Sequence, residues 1–140
     1  MTLPTAWIVD VDGTLALHAH RNPYNWKDAA ADQPNEPVVT AVQALAAHPN
    51  VDAIIAISGR PEQARPLTEK WLDAHNIPFD ALLLRADGDN RADAVVKEDA
   101  FRALVAPRYS VLGVVDDRTK VVRMWRRLGL ICLQVAEGDF

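Results

Sequence analysis

The chain has 140 residues, 49% hydrophobic and 24% charged, the composition of a soluble globular protein and a length suited to one domain, residues 1–140, with one good core. Fifteen Lys and Arg against nineteen Asp and Glu leave a formal net charge of −4, which argues against a protein that coats nucleic acid through a broadly basic surface. One cysteine excludes an internal disulfide and suits a reducing cytoplasm, and the sequence holds neither a signal-peptide pattern nor a run near the ~20 apolar residues of a membrane span.

Taken in chain order, the apolar run Ala6–Val9 predicts a buried strand that ends in Asp10-Val11-Asp12-Gly13-Thr14. Side chains alternate along a strand, so Asp10 and Asp12 share a face, and Gly13 lets the chain turn just beyond them. Two such carboxylates can bind a hard cation and divide nucleophilic from acid–base work. Residues 16–36 break the periodic pattern. They are polar, hold Pro23 and Pro34, and carry Tyr24 and Trp26, which suits either a substrate-facing loop or a surface loop with two packing aromatics. Stacking of Tyr24 and Trp26 on a base is the second option for these rings, after packing.

Beyond the insert, helix and strand patterns alternate. Helices are expected over 38–47, 62–74, 94–105 and 118–128, and strands over 52–57, 81–84, 111–115 and 130–135. This order predicts an α/β, Rossmann-like parallel sheet of about five strands with helices on both faces. Ligands bind at the carboxyl ends of such strands, where Ser58-Gly59-Arg60, the Arg91–Lys97 stretch and Asp116-Asp117 fall beside the first acidic tip. Ser58 and Arg60 can grip a phosphate, or serve as a helix cap and a surface cation. Lys97 is expected to open its helix, where the dipole disfavours a cation, so it either pairs with an anion or lies exposed. Asp116 and Asp117 either cap a helix or complete an oxygen-rich metal site. His18 and His20, with no cysteine nearby, are a weak zinc signal and read as loop histidines. Cys132, inside an apolar run, reads as a small buried hydrophobe.

The ordered set of tips resembles the haloacid dehalogenase superfamily and, more narrowly, the 3′-phosphatase domain of bacteriophage-type polynucleotide kinase-phosphatases. The matching stretches run through almost the whole chain: Asp10–Ala16, Arg21–Tyr24, Ile57–Arg60, Gly88–Asp93, Val95–Glu98, Asp116–Thr119, Met124–Arg127 and Gln134–Phe140. The resemblance implies that Asp10 is the nucleophile and Asp12 the general acid and base. It implies that Arg21, Ser58, Gly59, Arg60, Asp93 and Lys97 contact or arrange the substrate. It implies a Mg²⁺ site formed by Asp10, Asp12 through its backbone carbonyl, Asp116 and Asp117.

The implied activity is removal of 3′-phosphate, or of 2′,3′-cyclic phosphate, from RNA or DNA ends, in the cytoplasm of a bacterium or phage-infected host. Separate kinase or ligase partners are implied for the same repair pathway, a homodimer is left open, and no membrane is involved. One departure is plain: this sequence contains no Gly-Lys pair, so nothing of the kinase half of that family is carried over. Stretches on either side of Ser58 are too short for a large cap domain, which favours an open site fit for a polymer end. A small-metabolite phosphatase of the same superfamily and a non-catalytic end-binding module are the alternatives.

Overall fold

The structure, a computed structural model, describes residues 2–18, 21–22 and 24–140. Its centre is a parallel sheet of β1 (Thr5–Val9), β4 (Ala53–Pro61), β5 (Ala81–Arg85), β6 (Ser110–Asp116) and β7 (Cys132–Gln134), in the order β5-β4-β1-β6-β7. The chain builds outward from β1 to β5, then returns to lay β6 on the other side of β1. Strand order therefore reverses at the centre, where a crevice opens beyond the strand tips.

Alternation along the strands divides the core between the two faces. Val9, Ile54 and Ala56 point to a cluster closed by Val39 and Val42 of α1 (Glu36–Ala47) and by Trp71 and Leu72 of α2 (Arg65–Ala74). Their neighbours Ile8, Ile55 and Ile57 point the other way, with Val121, Val122, Met124 and Trp125 of α4 (Thr119–Arg127), which packs beside α3 (Asp93–Ala100). The expected fold is thus found, five parallel strands covered by helices on both faces. No helix among the described residues is long and apolar enough to cross a membrane.

Four local differences bear on the site. The second long strand extends past Ile57 to Pro61, so Ser58, Gly59 and Arg60 belong to the strand itself, with a register shift between Ile57 and Pro61. Second, α3 starts at Asp93, which puts Lys97 in its last turn on the buried face rather than at its opening; the helix then widens into a π turn over Phe101–Val105.

Third, the insert is more ordered than its composition suggests. Short strands β2 (Ala16–Leu17) and β3 (Gln33–Pro34) pair antiparallel and close it, and a 3₁₀ turn covers Trp26–Ala31. Finally, packing is not the role of Tyr24, whose side chain is 84% exposed, whereas Trp26 is half-buried. His20 and Pro23 lie outside the described residues.

Candidate active site

Asp10 leaves the tip of β1 buried, and its two oxygens meet different donors. Lys97 Nζ donates to Oδ1 at 2.7 Å and the Thr14 hydroxyl donates to Oδ2 at 2.8 Å. Lys97 also donates to Asp116 Oδ2 at 3.2 Å, and Asp93 Oδ2 stands 3.6 Å from the same ammonium. Oxygens of Asp10, Asp116 and Asp117 lie within 4.8 Å of one another. Burial, then the Asp116 charge, push the Asp10 carboxyl well above the usual carboxylate range, although Lys97 works the other way. Asp117 is raised as well, chiefly by burial. Burial would discharge Lys97, yet Asp10, Asp116 and Asp93 outweigh it and hold the ammonium well above its ordinary pKa.

Charge counting tests whether this cluster fits a metal. Three buried carboxylates share one buried ammonium, which leaves negative charge in excess when all are ionised. An uncompensated buried charge is costly, and a divalent cation with a preference for oxygen would balance it. Asp116 is the more tied of its pair. Its Oδ2 accepts from Lys97 and from Trp125 Nε1 at 3.2 Å, and its Oδ1 from the Asp117 amide at 2.8 Å. For Asp117 the hydroxyl of Thr14, at 3.3 Å, is a weaker donor already used by Asp10. Gly13, at φ +84°, packs against the Asp117 carboxylate where a Cβ would collide.

A second cluster adjoins the first. Arg60 binds Asp12 with both edges of its fork, Nε to Oδ2 at 2.9 Å and Nη2 to Oδ1 at 2.6 Å. Arg21 Nη2 reaches the same Oδ1 at 2.9 Å and grips Asp32 through Nε at 2.9 Å and Nη2 at 2.8 Å. Asp32 lies 3.4 Å from Arg60 too, and Arg60 Nη1 donates to the Thr68 hydroxyl at 3.0 Å. Burial would raise the pKa of Asp12, but the Arg60 hydrogen bonds and the charges of Arg60 and Arg21 prevail and hold it below the ordinary value. The guanidinium of Arg60, expected to serve the phosphoryl group, is thus engaged by the acid in this resting geometry, and Arg21 joins it there.

Ser58 is buried, and its hydroxyl accepts the Arg60 amide at 3.1 Å. Gly59 lines the pocket because nothing larger fits: a Cβ would run into Asp93 Oδ1. That oxygen is the buried side-chain polar atom among the described residues with no hydrogen-bond partner, and Arg85 stands 3.5 Å from it.

Two contributors escaped the sequence reading. Asp32 neutralises the arginine pair, and its carbonyl takes the indole N–H of buried Trp71 at 2.9 Å. Arg85 ties the β4 tip to the following loop through Gly59 O at 2.9 Å and Asp89 O at 3.0 Å. No signal distinguishes Asp32 in a polar loop; Arg85, a cation ending an apolar strand, was readable from its position at a tip. Above these residues opens a pocket of about 600 Å³, with Asp10, Asp12 and Lys97 among its lining and Tyr24, Trp26 and Phe140 around it.

A central parallel sheet, an Asp-x-Asp tip, a buried Lys and an acidic pair define a haloacid dehalogenase-type phosphatase domain. Residues 4–140 match the family described as the polynucleotide kinase PNKP phosphatase domain, and the chain belongs to that family. A protein of Autographa californica nuclear polyhedrosis virus, whose name describes a bifunctional polynucleotide kinase/RNA ligase, is 36% identical over 129 residues, 89% of this chain. Two solved structures align over 99% of the chain. One, of a Pnkp1/Rnl/Hen1 complex, has 41% identity and a TM-score of 0.93; the other, of the Pnkp1/Rnl/Hen1 RNA repair complex, has 40% and 0.94. The chain spans 18% of the viral protein and 48% and 44% of the two structural relatives.

Proposed function

We propose that this chain is a Mg²⁺-dependent polynucleotide 3′-phosphatase that acts in nucleic-acid end repair through an aspartyl-phosphate on Asp10. The observation that carries the reading is the placement of Asp10: a buried carboxylate, held on one oxygen by Lys97 and on the other by Thr14, beside an acid clamped by two arginines. Mg²⁺ would be held by Asp10, Asp116, Asp117 and the Asp12 backbone carbonyl, and would supply the charge neutralisation that lets a carboxylate approach a phosphate.

The chain's own residues do the rest. An Asp10 oxygen attacks phosphorus in line, the bond from phosphorus to the 3′-oxygen breaks, and the electron pair leaves with that oxygen. Asp12 donates the proton that makes it a hydroxyl. Water then attacks the aspartyl-phosphate, Asp12 takes its proton, and inorganic phosphate leaves with the Asp10 carboxylate restored. Arriving phosphate competes with Asp12 for Arg60, which relaxes the acid toward a pKa at which it can carry a proton. Lys97 faces the oxygens on which negative charge accumulates.

The open pocket and the family both support a polymer end as substrate. The names of the relatives support an RNA-repair setting with kinase and ligase partners. Phosphate release from oligonucleotides bearing a 3′-phosphate, a 5′-phosphate or a 2′,3′-cyclic phosphate is the test. Release from the 3′-phosphate is expected, and hydrolysis of small esters alone would reject the reading in favour of a metabolite phosphatase.

A further inference from the structure

We propose that Tyr24 is the platform on which the terminal base of the polynucleotide stacks, with Trp26 extending the same aromatic rim. The inference rests on the polynucleotide 3′-phosphatase reading above. Tyr24 lines the pocket that holds Asp10 and Asp12, yet 84% of its surface faces water. An aromatic ring carries a large apolar area that folding or binding normally covers. Phe140, on the same pocket, is already engaged, with the Arg118 guanidinium 4.6 Å above its ring. Among the described residues no such partner covers the Tyr24 ring.

The ring is displayed on a fixed support. Asn22 Oδ1 accepts the Tyr24 amide at 2.9 Å, and the Asn25 amide closes the turn onto Asn22 O at 2.9 Å. Arg21 Nη1 donates to Asn22 O and Asn25 O, each at 3.3 Å. The same guanidinium holds Asp12 at 2.9 Å and Asp32 at 2.8 Å. One side chain therefore ties the turn that carries Tyr24 to the acid that protonates the leaving oxygen. A 3′-nucleotide presents phosphate, 3′-oxygen and base in succession; Asp10 serves the first and Asp12 the second, and Arg21 joins Asp12 to the turn that carries Tyr24. Every base has a π-face, so the platform accepts any terminal base. Arg21 is on this account a positioning residue that sets the separation of acid and platform.

The test compares kcat/KM for the wild type, Tyr24→Ala and Tyr24→Phe on three substrates. These are an oligonucleotide 3′-phosphate, the same oligonucleotide with a tetrahydrofuran abasic residue at its 3′ end, and an aryl phosphate. Alanine should slow the base-bearing substrate roughly 5- to 150-fold, the range for loss of one stacked base. It should leave the abasic oligonucleotide and the aryl phosphate unchanged, and phenylalanine should restore the rate. The wild type should prefer the base-bearing end over the abasic one by the same factor, and Tyr24→Ala should lose that preference. Equal loss on the abasic substrate, or no loss on any, overturns the platform while leaving the 3′-phosphatase reading intact. Wild-type turnover of the aryl phosphate with none of either oligonucleotide overturns both.

Discussion

Arg60 holds Asp12 by both carboxylate oxygens, Nε at 2.9 Å from Oδ2 and Nη2 at 2.6 Å from Oδ1. A fork of this kind fixes the plane of the carboxylate as well as its position, which a lysine cannot do. Arg60→Ala should therefore lower kcat/KM roughly 10- to 150-fold, the range for losing a charged hydrogen bond, and Arg60→Lys should recover little of it. The direction of the pH change is also determined. Arg60 lowers the pKa of Asp12, so its removal raises that pKa and keeps the acid protonated to higher pH. The descending limb of the kcat/KM profile should move to higher pH. A profile that falls in height without moving would mean that Arg60 acts elsewhere.

Asp32 is expected to matter although it faces no reacting atom. Its carboxylate accepts two hydrogen bonds from Arg21 and stands 3.4 Å from Arg60. Asp32→Asn removes a carboxylate charge that both guanidinium groups face, so both should pull harder on Asp12. The pKa of Asp12 should fall further and the descending limb should shift to lower pH, opposite to Arg60→Ala. Measuring both profiles in one buffer series separates the two outcomes.

The fold and most of the candidate site were legible because strand tips announce themselves. Val9-Asp10 and Val115-Asp116 each pass from an apolar run to a carboxylate, and a parallel sheet brings such tips together whatever the loops do. Lys97 was identified, but its setting was misread: with α3 beginning at Asp93, the lysine falls on the inner face of the last turn and points at Asp10. Asp32 was not legible. Its partnership with Arg21 depends on a hairpin whose strands are two residues each, too short to leave any periodicity. Tyr24 was misjudged for the opposite reason, since aromatic residues are usually buried and this one stands in water at the rim of the pocket.

Asp10→Asn should abolish turnover and leave the fold intact. The amide keeps the shape but is no anionic nucleophile. Metal-free, the variant should melt no lower than the wild type, because it removes one of three mutually repelling buried carboxylates while Lys97 keeps Asp116 and Asp93. Thermal melting alongside phosphate release checks both halves; a folded variant with near-wild-type rate would exclude the covalent route.

Cys132 should resist thiol reagents in the native protein. Burial, then the nearby Asp116 charge, push its pKa up to about 11, so almost no thiolate exists at pH 8. Titration with an aromatic disulfide should give no colour until denaturant is added. Rapid reaction without denaturant would show that the β6–β7 edge opens readily.

Asp117 rather than Asp116 should govern the response to metal. Both Asp116 oxygens are occupied by Lys97, Trp125 and the Asp117 amide, whereas Asp117 shares one hydroxyl with Asp10. Saturating Mg²⁺ should stabilise the wild type by about 2.7 kcal/mol at a hundredfold excess over Kd, visible as a rise in Tm. In Asp117→Asn that rise should vanish. In Asp116→Asn it should shrink, with a lower metal-free Tm because one amide oxygen cannot serve Lys97, Trp125 and the Asp117 amide together, and the new NH2 faces a donor.

The pH dependence without metal follows from the sign of the shift. The folded pKa of Asp117 is raised, so its neutral form costs nothing below the unfolded value near 4, and burial counts against the folded state as pH climbs from there to the raised folded value. Asparagine does not titrate. In excess chelator, Asp117→Asn should therefore gain in Tm relative to the wild type as pH rises through that window, then hold a constant difference. A Mg²⁺ shift retained in full by Asp117→Asn would remove Asp117 from the metal site, and a Tm difference that ignores pH would mean that burial does not raise its pKa.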